Sequence, residues 1–320
     1  AIQCERINSF MYKTLLKYYL RHNSPAKAFR IATDVLTAVR RFPFGRQLVR
    51  MRYKNGLRAD RKRNIFGLEF SNPVGLAASI DTEGTLYNML SDFGFSFIEI
   101  GPMSYVAQDY NTPICYHCGV KKAIEHLRCD KPDCIIAGNI ARSLQSKGAD
   151  IMKDYEETFA LLYDFVDMIV INPGCTTTET TEDRQDKENG ITYLPDVIDR
   201  LMTMRLYYDS NKPVLVRITP EISRSQTEEL IECCLSSGID GIVAGSTLRK
   251  DDDGDGSVLR AKNVEFIRYI DEKSHGLLPI IGVGGVMNGS HAQEMIDAGA
   301  SLIEVYTGYI REGPSIVKNI

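Results

Sequence analysis

The chain has 320 residues, 43% of them hydrophobic and 25% charged, with 25 glycines, 12 prolines and no tryptophan. That length admits one large domain or two ordinary ones at roughly 100–200 residues each, and so average a composition excludes long disorder, a coiled coil or a fibrous repeat. The net charge of −4 conceals a split: residues 1–65 carry 16 Lys+Arg against 3 Asp+Glu, and the remainder carries 22 against 39. A segment at +13 joined to a body at −17 points to a surface for something anionic, either phospholipid or nucleic acid.

In chain order, the first predicted elements are two helices. One covers Asn8–Leu20, with Phe10, Met11, Leu15, Tyr18 and Tyr19 apolar. The second starts at Ser24 as N-cap with Pro25 behind it, and carries a stripe of Phe29, Ala32, Leu36 and Val39 beside Lys27, Arg30, Arg40 and Arg41. A basic amphipathic hairpin of this kind suits an anionic membrane surface; the plainer alternative is two helices packed on the body. No aromatic-plus-basic motif supports nucleic acid, so none is expected as a partner. No apolar run reaches the ~18 residues of a spanning helix, and no export signal is recognised. The expected location is therefore cytoplasmic, peripheral to the inner face of the cell membrane.

Past Arg63, strand-length apolar runs alternate with helical patterns. A short run at Asn64–Phe70 comes first, as a hairpin strand closing the barrel bottom. Eight further runs follow: Pro73–Ala77, Phe97–Gly101, Cys134–Ala137, Met168–Asn172, Pro213–Ile218, Gly241–Ala244, Pro279–Gly282 and Leu302–Tyr306. Helices are predicted over Tyr155–Phe165, Pro195–Tyr208, Ser225–Ser237, Asn263–Lys273 and Ser290–Ala298, and the helix after the second run is the least marked. Continuously apolar strands between helices mean a parallel sheet covered on both faces, and eight such units in about 250 residues match an α/β fold of the (β/α)8 TIM barrel type. A doubly wound open sheet is the alternative. The expected organisation is a helical hairpin over 1–50, a basic linker over 51–63 and the barrel over 64–320.

Barrel chemistry sits at the C-terminal strand ends, with phosphate commonly held after the seventh and eighth strands. Gly282-Val283-Gly284-Gly285 and Tyr306-Thr307-Gly308 fall there. Glycines let backbone N–H groups approach a phosphate, although they also serve simply to turn tight loops. The fourth run ends Asn172-Pro173-Gly174-Cys175, so Cys175 is placed as a base or nucleophile, or else as an inert structural thiol. Of the eight cysteines, Cys115, Cys118, Cys129 and Cys134 have partial zinc spacing. Cx4C is atypical and Cys134 borders a strand, so no metal is expected. Asp251–Gly256 lacks the terminal Glu of a calcium loop.

These residues resemble the dihydroorotate dehydrogenase family. The resemblance rests on Asn72-Pro73-Val74-Gly75-Leu76-Ala77-Ala78, Ile98-Glu99-Ile100-Gly101, Gly138-Asn139-Ile140, Ile281–Gly285, Val305–Gly308 and Glu312–Val317, in that order. It covers roughly residues 64–320, and the N-terminal helical pair resembles that of the membrane-associated class 2 enzymes. It implies an FMN-binding barrel that oxidises dihydroorotate to orotate in pyrimidine biosynthesis, with quinone as acceptor: a base takes the C5 proton while hydride leaves C6 for the flavin. By the same resemblance, Ala77, Ala78, Asn139, Asn172 and Arg217 would contact flavin, with Arg217 standing where the family has Lys. Gly284, Gly285, Tyr306, Thr307 and Gly308 would hold its phosphate. Asn172, Thr177, Ser246 and Thr247 would line the substrate, and Cys175 would be the base, where class 2 enzymes have Ser and class 1 enzymes Cys.

The chain departs from the family pattern at Ser79 (for Gly), Thr82 (for Lys), Thr176-Thr177-Thr178 (for Pro-Asn-Thr) and Ser246-Thr247-Leu248 (for Asn-Thr-Thr). Asn is also missing from Glu125-His126-Leu127-Arg128. A pocket short of amide partners discriminates its substrate less well. An FMN barrel acting on another small substrate, or a non-catalytic flavin-binding relative, is the alternative.

Overall fold

A computed structural model describes residues 42, 44–54, 61–107, 118–128, 132–143, 145–173, 192–246 and 256–320. The two N-terminal helices and residues Cys175, Thr177 and Thr247 lie outside the described residues.

Chain order begins with helix α1 (Gly45–Tyr53), the antiparallel hairpin β1 (Arg63–Ile65) and β2 (Leu68–Phe70), and β3 (Val74–Leu76). Helix α2 (Tyr87–Leu90), strand β4 (Phe97–Met103), α3 (Val120–Leu127), β5 (Ile135–Ile140), α4 (Ala149–Leu162) and β6 (Met168–Ile171) follow. The second half alternates α5 (Leu194–Arg205), β7 (Val214–Ile218), α6 (Arg224–Ser237), β8 (Gly241–Ala244), α7 (Ser257–Lys273), β9 (Ile280–Val283), α8 (Gly289–Asp297) and β10 (Ala300–Val305). Helices α9 (Thr307–Glu312) and α10 (Ile316–Asn319) end the chain. Strands β3 to β10 are parallel and close into a barrel in sequence order, β10 pairing with β3, as the eight apolar runs predict. The run at Asn64–Phe70 belongs to a hairpin and holds parts of both its strands, because Phe66 and Gly67 both take positive φ and fold the chain back on itself.

Local chemistry starts several helices. Ser223 caps α6 by accepting from Gln226 N while the Gln226 side chain accepts from Ser223 N, the reciprocal arrangement that satisfies two otherwise orphaned donors. Asn288 caps α8 through His291 N at 3.0 Å.

Side-chain alternation divides the core in two. One set of strand residues, including Ile98, Ile100, Ile169, Ile171, Val214 and Val216, packs outward against the helices. The other set points inward: Phe97, Ala137, Met168, Val170, Leu215, Val243, Ile281 and Leu302, with Phe70 of the hairpin packed against them from below. Gly75 is glycine because the Phe97 ring fills the space a Cβ would need, its nearest atom 2.2 Å away. The inward layer is therefore solid hydrocarbon at the N-terminal end.

Helix α1 is held to this body by charge. Arg46 Nε donates to both oxygens of the buried Asp92 at 3.0 and 3.2 Å, Arg50 pairs with Asp92 and Asp133, and Lys54 reaches Asp133 at 3.3 Å. Val49 and Tyr53 pack on the core, Tyr53 edge-on to Phe93.

Candidate functional site

Strand alternation carries the inward row one step further toward the C-terminal ends, and there it turns polar. Two residues past Phe97 comes Glu99; past Ala137, Asn139; past Val170, Asn172; past Leu215, Arg217; past Leu302, Glu304. Five adjacent or facing strands thus place five hydrogen-bonding side chains on one level. Glu99, Asn139 and Glu304 are fully buried and the Arg217 side chain is 12% exposed.

The side chains form one network. Arg217 Nη2 donates to both oxygens of Glu99 at 2.7 Å and to Glu304 Oε2 at 3.2 Å. Asn139 Nδ2 donates to Glu99 Oε1, and Asn172 Nδ2 donates to Asn139 Oδ1 at 3.2 Å. Tyr155 of α4 fixes the end of β6 by donating to Asn172 O at 2.6 Å, and Tyr193 does the same at Pro173 O at 3.0 Å. Burial alone would raise the Glu99 carboxyl, but the Arg217 charge and the hydrogen bonds it accepts bring it below the ordinary glutamate value. Glu304 goes the other way: burial, then the Glu99 charge, hold its carboxyl well above that value. Arg217 stays charged against its own burial because the two carboxyls face it.

The glycines after the last three strands have a packing reason of their own. A Cβ on Gly245 would lie 2.1 Å from Val283 O, one on Gly284 2.1 Å from Ser246 O, and one on Gly308 2.1 Å from Val286 O. The loops after β8, β9 and β10 therefore interlock, glycine against carbonyl. Asn263 of α7 tightens the seam: its Oδ1 accepts from Ser246 N and its Nδ2 donates to Ser246 O, both at 3.0 Å. Gly284→Ala is expected to cost roughly 1–3 kcal/mol by overpacking, with the φ of +106° at Gly284 adding to it. Urea unfolding reads this directly, and an unchanged midpoint would mean that the loops separate freely.

Ala77 and Ala78 follow β3 at the same end, Ala77 N donating to Val305 O at 3.1 Å. Tyr306, Thr307 and Gly308 begin α9, and Gly284 and Gly285 follow β9. The structure thus gathers Ala77, Ala78, Asn139, Asn172, Arg217, Ser246, Gly284, Gly285, Tyr306, Thr307 and Gly308 at one barrel mouth. Glu99 and Glu304 were given no role from sequence. Their signal was a charged residue flanked on both sides by buried β-branched residues. Cys118 and Cys134 are described; burial raises the Cys118 thiol and pushes that of Cys134 up to about 12. Cys115 and Cys129 lie outside the described residues. Ser79, in place of the family's Gly, sits at φ +74° with its N–H on Gly101 O at 2.8 Å. Asp81 accepts from the backbone of Thr85, Leu86 and Tyr87 and so fixes the turn into α2.

A family model for dihydroorotate dehydrogenase matches residues 117–320. The dihydroorotate dehydrogenase (quinone) of Christiangramia forsetii is 31% identical, with 97% of each chain covered. That of Coxiella burnetii is 30% identical over 80% of this chain and 82% of its own. Among solved structures, DHODH from Eimeria tenella in complex with ferulenol has the same fold, with a TM-score of 0.77, 20% identity and coverage of 96% and 92%. Barrel, mouth and sequence agree: this chain belongs to the dihydroorotate dehydrogenase family of oxidoreductases.

Proposed function

We propose that the protein oxidises dihydroorotate to orotate with FMN as its cofactor and quinone as the final acceptor. The observation that carries this reading is the polar floor of Asn139, Asn172 and Arg217 at the mouth of a barrel of this family. The floor also fits a flavin on its own terms. Arg217 Nε is buried with no hydrogen-bond partner among the described residues. Such a donor costs about 1–3 kcal/mol unless something accepts from it, and the acceptor-rich edge of a flavin ring does.

Bound FMN supplies the hydride acceptor. The chain's residues do the rest. The amides of Asn139 and Asn172, already oriented by Glu99 and by one another, would offer donors and acceptors to the flavin and the substrate. Arg217, held by Glu99 and Glu304, would supply the flavin with a fixed positive charge that need not reorganise during reaction. Small Ala77 leaves room for a planar ring, and the interlocked loops around Gly284, Gly285, Tyr306, Thr307 and Gly308 give a rigid rim for the phosphate. Cys175 follows β6 beyond Asn172 and takes the C5 proton, with Thr177, Ser246 and Thr247 around the substrate. Anaerobic addition of dihydroorotate to the purified yellow protein is expected to bleach the flavin, and a quinone to restore it. Retained colour with dihydroorotate would assign the barrel to another small substrate, and denatured protein releasing no flavin would remove FMN.

The described residues contain no helix long and apolar enough to cross a membrane. We infer that residues 1–50 dock on an anionic bilayer face, which puts a lipid-soluble quinone within reach. Phe44, the N-cap of α1, and Leu48 and Met51 on the helix recur at spacings of 4 and 3 and are 64–73% exposed, opposite the face that packs on the core. Arg46 and Arg50 are engaged by Asp92 and Asp133, so the charge offered to lipid comes from the other basic residues. Each contributes about 1 kcal/mol, weakened by salt. Sedimentation with anionic and neutral liposomes, with and without residues 1–50, tests this. Equal binding by the truncated chain would make the segment a packing element.

A further inference from the structure

Two buried carboxyls in the barrel floor share one guanidinium. All three contacts run through a single nitrogen, Arg217 Nη2, at 2.7, 2.7 and 3.2 Å, so both carboxyls crowd one donor atom. Glu99 has its full complement: both oxygens accept from Arg217, and Oε1 also accepts from Asn139. Glu304 has one longer contact, and its Oε1 is buried with no partner among the described residues. At the level of Glu304 the neighbouring strands offer only Gly75 and Val283, and Tyr306 is the next titratable residue along its own strand. Nothing else on these strands balances a second negative charge.

We infer that Glu99 and Glu304 hold one proton between them, carried on Glu304, so that the floor of the resting protein is electrically neutral. Two like charges held on one nitrogen in a dry site cannot both persist against one cation. The proton goes to the carboxyl with fewer donors, Glu304. Glu304 is then a positioning residue. Its neutral form leaves Glu99 as the single anion on Arg217, whose unpartnered Nε remains available to a bound flavin. That last consequence rests on the flavin reading; the shared proton does not.

Infrared spectroscopy of the full-length protein, in H2O and D2O, reads the proton whether or not dihydroorotate is a substrate. A protonated buried carboxyl gives a carbonyl band set apart from carboxylate. Among the described residues, Asp81 is the other buried carboxyl that its surroundings push upward, so Asp81→Asn is the control. The expected result is a band in wild type and in Asp81→Asn that is lost in Glu304→Gln. It is also lost in Glu99→Gln, because Glu304, with Arg217 to itself, then ionises. No band in wild type at neutral pH, or a band that survives both glutamate replacements, overturns the inference. Should Glu304→Gln fail to fold, wild type, Glu99→Gln and Asp81→Asn still decide it. In flavin-loaded protein, the midpoint potential of wild type is expected to change slope where the band titrates, and that of Glu304→Gln to show no break there. An unbroken wild-type profile with the band present would leave the shared proton in place and refute its influence on the cofactor.

Discussion

Arg217→Met is expected to destabilise the protein by about 3–5 kcal/mol at pH 8, the scale for removing one partner of a buried ion cluster. Against a total of about 5–15 kcal/mol for a folded domain, that is a large fraction. Methionine keeps the length of the stem but leaves Glu99 and Glu304, both fully buried, with no cation. Both carboxyls then titrate above their unfolded value. The folded state binds more protons than the unfolded one, so stability falls as pH rises past about 4.5. The variant should recover much of its loss toward pH 5, whereas Arg217→Lys, which keeps the charge, should show a smaller and flatter deficit. Urea unfolding of the three proteins at the two pH values separates the cases. Equal midpoints for wild type and Arg217→Met at pH 8 would mean that water, rather than Arg217, solvates the glutamates.

Cys175→Ala is expected to slow flavin bleaching by dihydroorotate roughly 10²–10⁴-fold, the contribution of a positioned general base, while leaving flavin binding intact. Because an ordinary thiol loses its proton near pH 8.5, the wild-type rate should climb with pH toward that region. Cys175→Ser should bleach with a displaced profile. Stopped-flow absorbance under anaerobic conditions measures both, and an alanine variant that bleaches at the wild-type rate would exclude Cys175 from the proton transfer.

The barrel was legible because a parallel strand buried on both faces can only be written as an unbroken apolar run, and runs such as Met168–Asn172 and Gly241–Ala244 have few other meanings. The ends of runs were less legible: β5 starts at Ile135 and reaches Ile140, past the predicted Ala137, since an Asn and a Gly inside a strand do not look like strand residues. The helix after the second run, α3, is only eight residues long with two adjacent lysines, too short for its periodicity to stand out. Positions such as Asn139, Asn172 and Arg217 were found through the family resemblance. Glu99 and Glu304 were not, although Glu99 lies within a motif that carried it and Glu304 directly precedes another. A glutamate between two isoleucines, or between Ile303 and Val305, reads as the solvent face of a half-exposed strand until closure of the barrel makes that face the interior.

The interlocked glycines bear on how this enzyme's mouth can vary. Because Gly245 abuts the carbonyl after it on β9, Gly284 that of Ser246, and Gly308 that of Val286, no one of the three loops can gain a side chain or change length at its root without displacing its neighbour. The rim is in effect a single heritable unit. New specificities have to be written outside this seam, and a loop transplanted from a relative into it would succeed only if its two companions travelled with it.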